Sequence, residues 1–140
     1  MDPFNFQRFV NAQAPVWNGV RAELAQGSKR THWMWFVFPQ LAALGRSNTA
    51  KFYGISGTDE ARAYLEHPLL GQRLLECCGI LLTAGGFTAT EIFGDTDAMK
   101  LRSCLTLFEA VSPSRPVFAQ CFNRYFDGDR DPLTARFLAG

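Results

Sequence analysis

Short stretches with apolar residues at helical spacing, each ended by Gly or Pro, constrain this chain more than any other feature. Apolar residues recur three and four positions apart along residues 70–82 and 101–108. Gly85-Gly86 ends the first stretch and Ser112-Pro113 ends the second, as helix-terminating residues do. Further stretches of this kind occupy residues 6–10, 16–24, 58–65, 116–126 and 132–138. The pattern predicts an all-α fold, a compact bundle of about seven short helices forming a single domain over residues 1–140.

Several helix starts carry recognisable capping residues. Thr88 followed by Glu91 matches a capping box, and Asp131-Pro132 places an acceptor before a proline at the first helical position. We expect a short helical turn after Thr88 and a longer, separate helix beginning at Asp95 or Asp97. Asp127-Gly128-Asp129 resembles the start of a calcium loop, but the spacing that follows lacks the required Gly and Glu. We therefore predict an inter-helix turn there, with Asp131 as the cap.

Residues 32–38 are a short aromatic run whose secondary structure is ambiguous. Taken alone, His-Trp-Met-Trp-Phe-Val-Phe fits a buried strand as well as a helix. No second convincing strand is present to pair with it. Because a helix that is apolar all round must be buried all round, we predict a central, buried helix.

Composition and charge exclude several functional classes. Lys and Arg total 14 and Asp and Glu total 13, so the net charge is +1, without the basic excess of a duplex-DNA binder. The longest strongly apolar run, residues 33–39, is too short to span a bilayer. The first residues lack the basic and apolar regions of a signal peptide. We therefore expect a cytoplasmic protein without a membrane or duplex nucleic-acid partner.

The cysteines and histidines do not have the spacing of a metal site. The four cysteines include no Cys-x-x-Cys pair, and His32 and His67 are far apart. We expect no metal and no cofactor, and reduced, partly buried thiols. A reactive thiol at Cys77 or Cys78 is the alternative, although no basic residue adjoins them.

Two polar clusters are candidates for a binding site. Residues 29–35 combine two cations, a hydroxyl, an imidazole and two indoles, which suit an anionic ligand with a flat ring. Residues 95–103 place Lys100 and Ser103 on one helix face, where they would bind an oxyanion. The structural alternatives are core tryptophans with a solvated basic end, and acids that favour a helix N-terminus.

The functional prediction combines these clusters in one pocket. This pocket is predicted to bind a small anionic, partly flat, nucleotide-like molecule, with or without catalysis. The predicted ligand-binding residues are His32, Trp33, Trp35, Lys51, Tyr53, Lys100 and Ser103. The alternative is a non-enzymatic protein-interaction or self-association module that uses exposed phenylalanines such as Phe4 or Phe137.

Several stretches together resemble one bacterial family. They are His-Trp-Met-Trp-Phe-Val-Phe-Pro-Gln-Leu at 32–41, Gly-Arg-Ser at 45–47, Ile-Phe-Gly at 92–94 and Lys-Leu-Arg-Ser at 100–103. The chain resembles the domain of unknown function 1810 family, whose members are sometimes mislabelled calpastatin. The resemblance implies a compact multihelical bundle in the bacterial cytosol, and a helix at residues 32–38. It implies no activity.

Overall fold

The computed structural model describes residues 1–140 and contains α-helices but no β-strand. The all-α prediction is confirmed. Seven helices have seven or more residues and two are shorter. The helices are α1 (Gln7–Gln13), α2 (Trp17–Gln26), α3 (Met34–Val37), α4 (Asn48–Phe52), α5 (Thr58–Glu66), α6 (Leu70–Thr83), α7 (Ala89–Val111), α8 (Pro116–Tyr125) and α9 (Pro132–Ala139).

The ends of the helices follow the capping chemistry that the sequence predicts. Thr88 and Glu91 form a reciprocal capping box at the start of α7. The Asp131 carboxylate accepts a hydrogen bond from the Thr134 amide at 3.0 Å and caps α9. Gly27 ends α2 in the left-handed conformation, at φ 70°. Local sequence therefore determines these boundaries.

Helix α7 is the central element of the bundle and contains a break near its start. It packs against α3, α5, α8 and α9. Gly94 interrupts the helical geometry at φ 80° and ψ 166°, a conformation that favours glycine. The predicted turn after Thr88 and the predicted helix after Asp95 are therefore two consecutive segments joined at this kink.

One hydrophobic cluster of 29 buried residues runs through the molecule. Tyr64 on α5 and Phe108 on α7 lie in it with ring centroids 5.4 Å apart, and Phe9 on α1 meets Tyr64 edge-on at 5.3 Å. The side-chain amide of Gln13 donates a hydrogen bond to the Tyr64 hydroxyl at 3.4 Å. None of the helices combines the length and the apolar character needed to cross a membrane.

The aromatic run at 32–38 differs from the predicted helix. Only Met34–Val37 is helical, and Trp35 and Phe36 are partly exposed. The chain then extends, and Leu41 forms a single parallel bridge with Ile55. Gly54 permits this approach, because a Cβ there would lie 2.4 Å from Ala42. A single turn suffices because Trp33 and Phe38, on either side of it, are already buried in the core.

Candidate functional site

A cavity of about 350 Å³ lies between α3, α4, α7 and the segment 40–47. Its volume falls within the range of roughly 300–1,000 Å³ typical of small-molecule sites. The lining residues are Trp35, Gln40, Leu41, Leu44, Gly45, Arg46, Ser47, Ala50, Tyr53, Thr96, Lys100 and Ser103. The bridge between Leu41 and Ile55 joins the two chain segments that form one side of this cavity.

Lys100 is held at the cavity by an acid and an aromatic ring. Its ammonium lies 3.0 Å from an Asp97 oxygen and 4.1 Å from the centroid of Trp35. The other Asp97 oxygen lies 2.8 Å from Lys29 Nζ. Burial raises the pKa of Asp97, but the two lysines outweigh it, so the pKa is lowered overall. Two ammonium groups therefore share one carboxylate, which leaves a net positive charge beside the cavity.

Arg46 supplies the second positive charge of the cavity lining. It is exposed on the loop before α4 and forms no ion pair with the protein. Lys100 and Arg46 are the charged members of the lining, which contains no carboxylate. The electrostatic character of the cavity therefore favours an anion.

Ser103 belongs to a polar network that runs from the cavity to the start of α9. Its hydroxyl donates to Asp131 at 3.2 Å, and the Asp131 amide donates to Thr106 Oγ1 at 2.9 Å. The same carboxylate accepts hydrogen bonds from the amide and hydroxyl of Thr134. No histidine is bonded to Ser103, so the general base of an activated nucleophile is missing. Ser103 is suited to hydrogen-bond a ligand rather than to attack it.

Gln40 is fixed through its backbone, while its side chain lacks a protein partner. The Gln40 carbonyl accepts from the Ile55 amide at 2.7 Å, and the Ala42 amide donates to the Ile55 carbonyl at 2.8 Å. The side-chain Nε2 is buried without a hydrogen-bond partner. A buried donor in that condition calls for an explanation.

The structure brings four of the seven predicted binding residues to this cavity. Trp35, Tyr53, Lys100 and Ser103 line it, so the two sequence clusters do meet in space. Lys100 lies over one face of the Trp35 indole, and the Tyr53 ring packs against Phe36 with centroids 5.3 Å apart. Other residues of the protein therefore already contact part of both aromatic rings.

The other three predicted residues lie outside the cavity. His32 and Lys51 are exposed, because His32 precedes the α3 turn and Lys51 lies on the outer side of α4. Trp33 is 1% exposed and belongs to the core. The structure therefore does not place these three residues at this cavity: Trp33 points into the core, whereas His32 and Lys51 lie at the surface.

Trp33 is held in the core by Glu23 on α2. Its indole Nε1 donates to Glu23 at 3.0 Å, and the same carboxylate accepts from the Arg30 amide at 2.7 Å and from both the amide and the hydroxyl of Thr31. Desolvation by burial raises the pKa of Glu23, but these hydrogen bonds prevail and lower it to about 2. The segment 30–33 is therefore structural.

The predicted binding set lacks four polar residues of the lining: Gln40, Arg46, Ser47 and Thr96. Gln40, Arg46 and Ser47 all belong to the stretches that carry the family resemblance. Their place in those stretches, without an obvious structural role, was the sequence feature that could have marked these three residues as site candidates. Thr96 offered no comparable signal.

The cysteines contribute no chemistry to this cavity. All four are free and buried. Burial raises the pKa of Cys77 and Cys104, which suppresses the reactive thiolate. The side chains form no group of His, Cys, Asp and Glu that could hold a metal ion.

Comparison with known proteins places the chain in a family. A family model described as a protein of unknown function (DUF1810) matches residues 3–138. The chain belongs to the DUF1810 family. A crystal structure of a conserved hypothetical protein from Mycobacterium tuberculosis is similar to it, with 49% identity, a TM-score of 0.97 and 99% coverage of each chain. No curated protein matches the chain. The resemblance predicted from the sequence is confirmed.

Proposed function

We propose that the cavity between α3, α4 and α7 binds a small anionic, partly planar ligand of nucleotide-like character. The observation that carries the proposal is the charge of the lining: Lys100 and Arg46 face it without an accompanying carboxylate. Asp97 already shares its two oxygens between Lys29 and Lys100, so it does not neutralise both lysines. A ligand phosphate or carboxylate supplies the missing negative charge.

The hydroxyl groups of the lining suit the same kind of ligand. Thr96 and Ser103 lie on α7 beside Lys100. The Thr96 hydroxyl supplies a donor for an anion, whereas Ser103 donates its proton to Asp131 and keeps acceptor capacity for a donor group of the ligand. Tyr53, half-buried among aromatic rings, gives the cavity an apolar wall for the planar part. Catalysis is not part of the proposal, because Ser103 has no base to activate it.

The proposal is tested by thermal unfolding of the purified protein with nucleotides, nucleotide sugars and small phosphorylated acids. A ligand at about 100 times its Kd stabilises the fold by about 2.7 kcal/mol, which moves Tm by several degrees. Lys100→Met should abolish the shift while Asp97 keeps Lys29 as its partner. The matched control is Arg136→Ala, which removes an exposed positive charge outside the cavity. An equal shift in the wild type and Lys100→Met would contradict the proposal.

A second candidate function is self-association through α9. Leu133 and Phe137, one helical turn apart, are 57% and 43% exposed. Phe4, the other phenylalanine considered from the sequence, is partly buried against Phe6 and supports this less well. Light scattering at high protein concentration decides the matter. A dimer mass that Leu133→Ser reduces to that of the monomer supports self-association, and a monomer mass in the wild type excludes it.

A further inference from the structure

Gln40 differs from the other polar side chains of the molecule in how its amide is hydrogen-bonded. Among the buried side-chain nitrogens and oxygens, Gln40 Nε2 alone has no hydrogen-bond partner within the protein. Gln13, a glutamine that is 1% exposed, donates to the Phe36 carbonyl at 2.7 Å and accepts from Arg73 at 3.2 Å. The fold therefore satisfies a buried carboxamide where that group is structural, and leaves one unsatisfied at the wall of the cavity.

An unsatisfied buried amide destabilises the protein in which it lies, so its partner is expected to come from elsewhere. Gln40 cannot retreat from the cavity, because the hydrogen bonds around the Leu41–Ile55 bridge fix its backbone. Its terminal torsion is soft and nearly two-fold, so either end of the amide can be turned toward a ligand. With its backbone fixed and its side-chain amide unpaired, Gln40 is suited to hydrogen-bond a ligand in the cavity.

The chemistry of a carboxamide limits what it recognises. It presents one donor and one acceptor side by side, which complements a ring edge with a neighbouring acceptor and donor. Glutamine pairs in this way with a nucleobase edge, the N6 and N7 atoms of adenine being one example. A simple sugar phosphate or an inorganic anion offers no such planar edge.

The volume of the cavity limits the size of the ligand. About 350 Å³ lies near the lower end of the range for small-molecule sites. That volume suits one base, one sugar and one phosphate, and it is small for a dinucleotide. Lys100 and Arg46 provide two cations, enough for a single phosphate dianion.

We infer that the ligand class is a nucleoside monophosphate, whose base edge hydrogen-bonds to Gln40 and whose phosphate meets Lys100 and Arg46. The inference rests on the proposed function and deepens it. Gln40 is accordingly a specificity-determining residue for the base, while the two cations act on the phosphate alone.

The test compares ligands with and without a base in a calorimetric titration. The probes are AMP, GMP, CMP and UMP, with ribose 5-phosphate as the matched ligand that keeps the sugar and phosphate. In the wild type, the best nucleotide should bind about tenfold or more tightly than ribose 5-phosphate, the worth of one good amide–base pairing. Lys100→Met should weaken both kinds of ligand.

Gln40→Leu should remove the preference for the base and leave the affinity for ribose 5-phosphate unchanged. Its Tm without ligand should equal or exceed that of the wild type, because the variant deletes an unsatisfied donor. A structural glutamine would give a lower Tm. Gln40→Glu, which keeps the side-chain size but only accepts hydrogen bonds, is the second variant and should move the preference from the wild-type base toward bases that present a donor, such as cytosine.

The outcomes separate this inference from the function on which it rests. If nucleotides and ribose 5-phosphate bind equally, or if Gln40→Leu keeps the preference, the inference is overturned and the anion site stands. If none of these probes binds, the nucleoside monophosphate assignment is overturned, and the thermal screen with other anions decides the proposed function.

Discussion

Two neighbouring regions treat their polar groups in opposite ways. Around Glu23, each donor that faces the carboxylate is paired with it, and residues 30–33 are held in place. Around the cavity, Gln40 Nε2 has no partner and Arg46 has no acid. The two regions are joined by the single turn of α3. The protein itself pairs the polar groups of the first region, whereas the second keeps a side-chain donor and a cation without protein partners.

Replacement of Trp33, which precedes α3, and of Trp35 within α3 should give the largest difference between the regions. Trp33→Ala leaves a cavity in the core, and we expect it to lower the free energy of unfolding by about 3–5 kcal/mol. Trp35→Ala removes a partly exposed ring and one cation–π contact, for a loss of about 1–2 kcal/mol. Urea unfolding followed by circular dichroism measures both. Equal losses would show that the two indoles do not differ in role.

Removal of the Glu23 carboxylate should have the next largest effect. Glu23→Ala deprives two backbone amides, the Thr31 hydroxyl and the Trp33 indole of their acceptor. We expect a loss of about 2 kcal/mol, measured by the same unfolding assay. Glu76→Ala is the control, because its partner Arg21 is half exposed and the pair is worth less than about 1 kcal/mol. Comparable losses for the two variants would contradict the account.

The Glu23 region should also give the protein a characteristic loss of stability in acid. The pKa of Glu23 is lowered from 4.5 to about 2 in the folded state. Its contribution is therefore present above pH 4.5 and disappears as the pH falls toward 2. Denaturant midpoints measured across this interval should fall less steeply in Glu23→Gln than in the wild type. Parallel slopes would mean that the hydrogen bonds do not favour the ionised carboxylate.

The smallest expected effect on stability lies at the cavity. Arg46 is exposed and has no ion-pair partner, so Arg46→Ala should change the free energy of unfolding by less than about 0.5 kcal/mol. The same variant should weaken binding of a phosphorylated ligand. A large loss of stability would show that Arg46 has a structural role, and the contrast with Glu23 would then disappear.

The sequence contains most of the information on the fold. Helix ends depend on local chemistry, such as the Thr88–Glu91 capping box and the left-handed Gly27, and they are predictable residue by residue. The aromatic run was harder, because its conformation depends on the bridge between Leu41 and Ile55, which are distant in sequence. A short apolar segment takes its conformation from its neighbours in space.

The candidate site could be predicted only in part, for a related reason. Lys100 and Ser103 share a helix face, so local spacing identified them together. Gln40 and Arg46 lie on an irregular segment where no periodicity indicates which way a side chain points. Trp33 and Trp35 have the same chemistry two positions apart, and only tertiary packing separates a core indole from a cavity wall.

The most direct test of the central claim is a calorimetric titration of wild-type protein and Arg46→Ala with the phosphorylated ligand that gives the largest thermal shift. The account predicts an affinity about tenfold or more lower in Arg46→Ala, with Tm in the absence of ligand unchanged. Equal affinities in the two proteins would contradict the claim that this cavity binds anions through its unpaired cation.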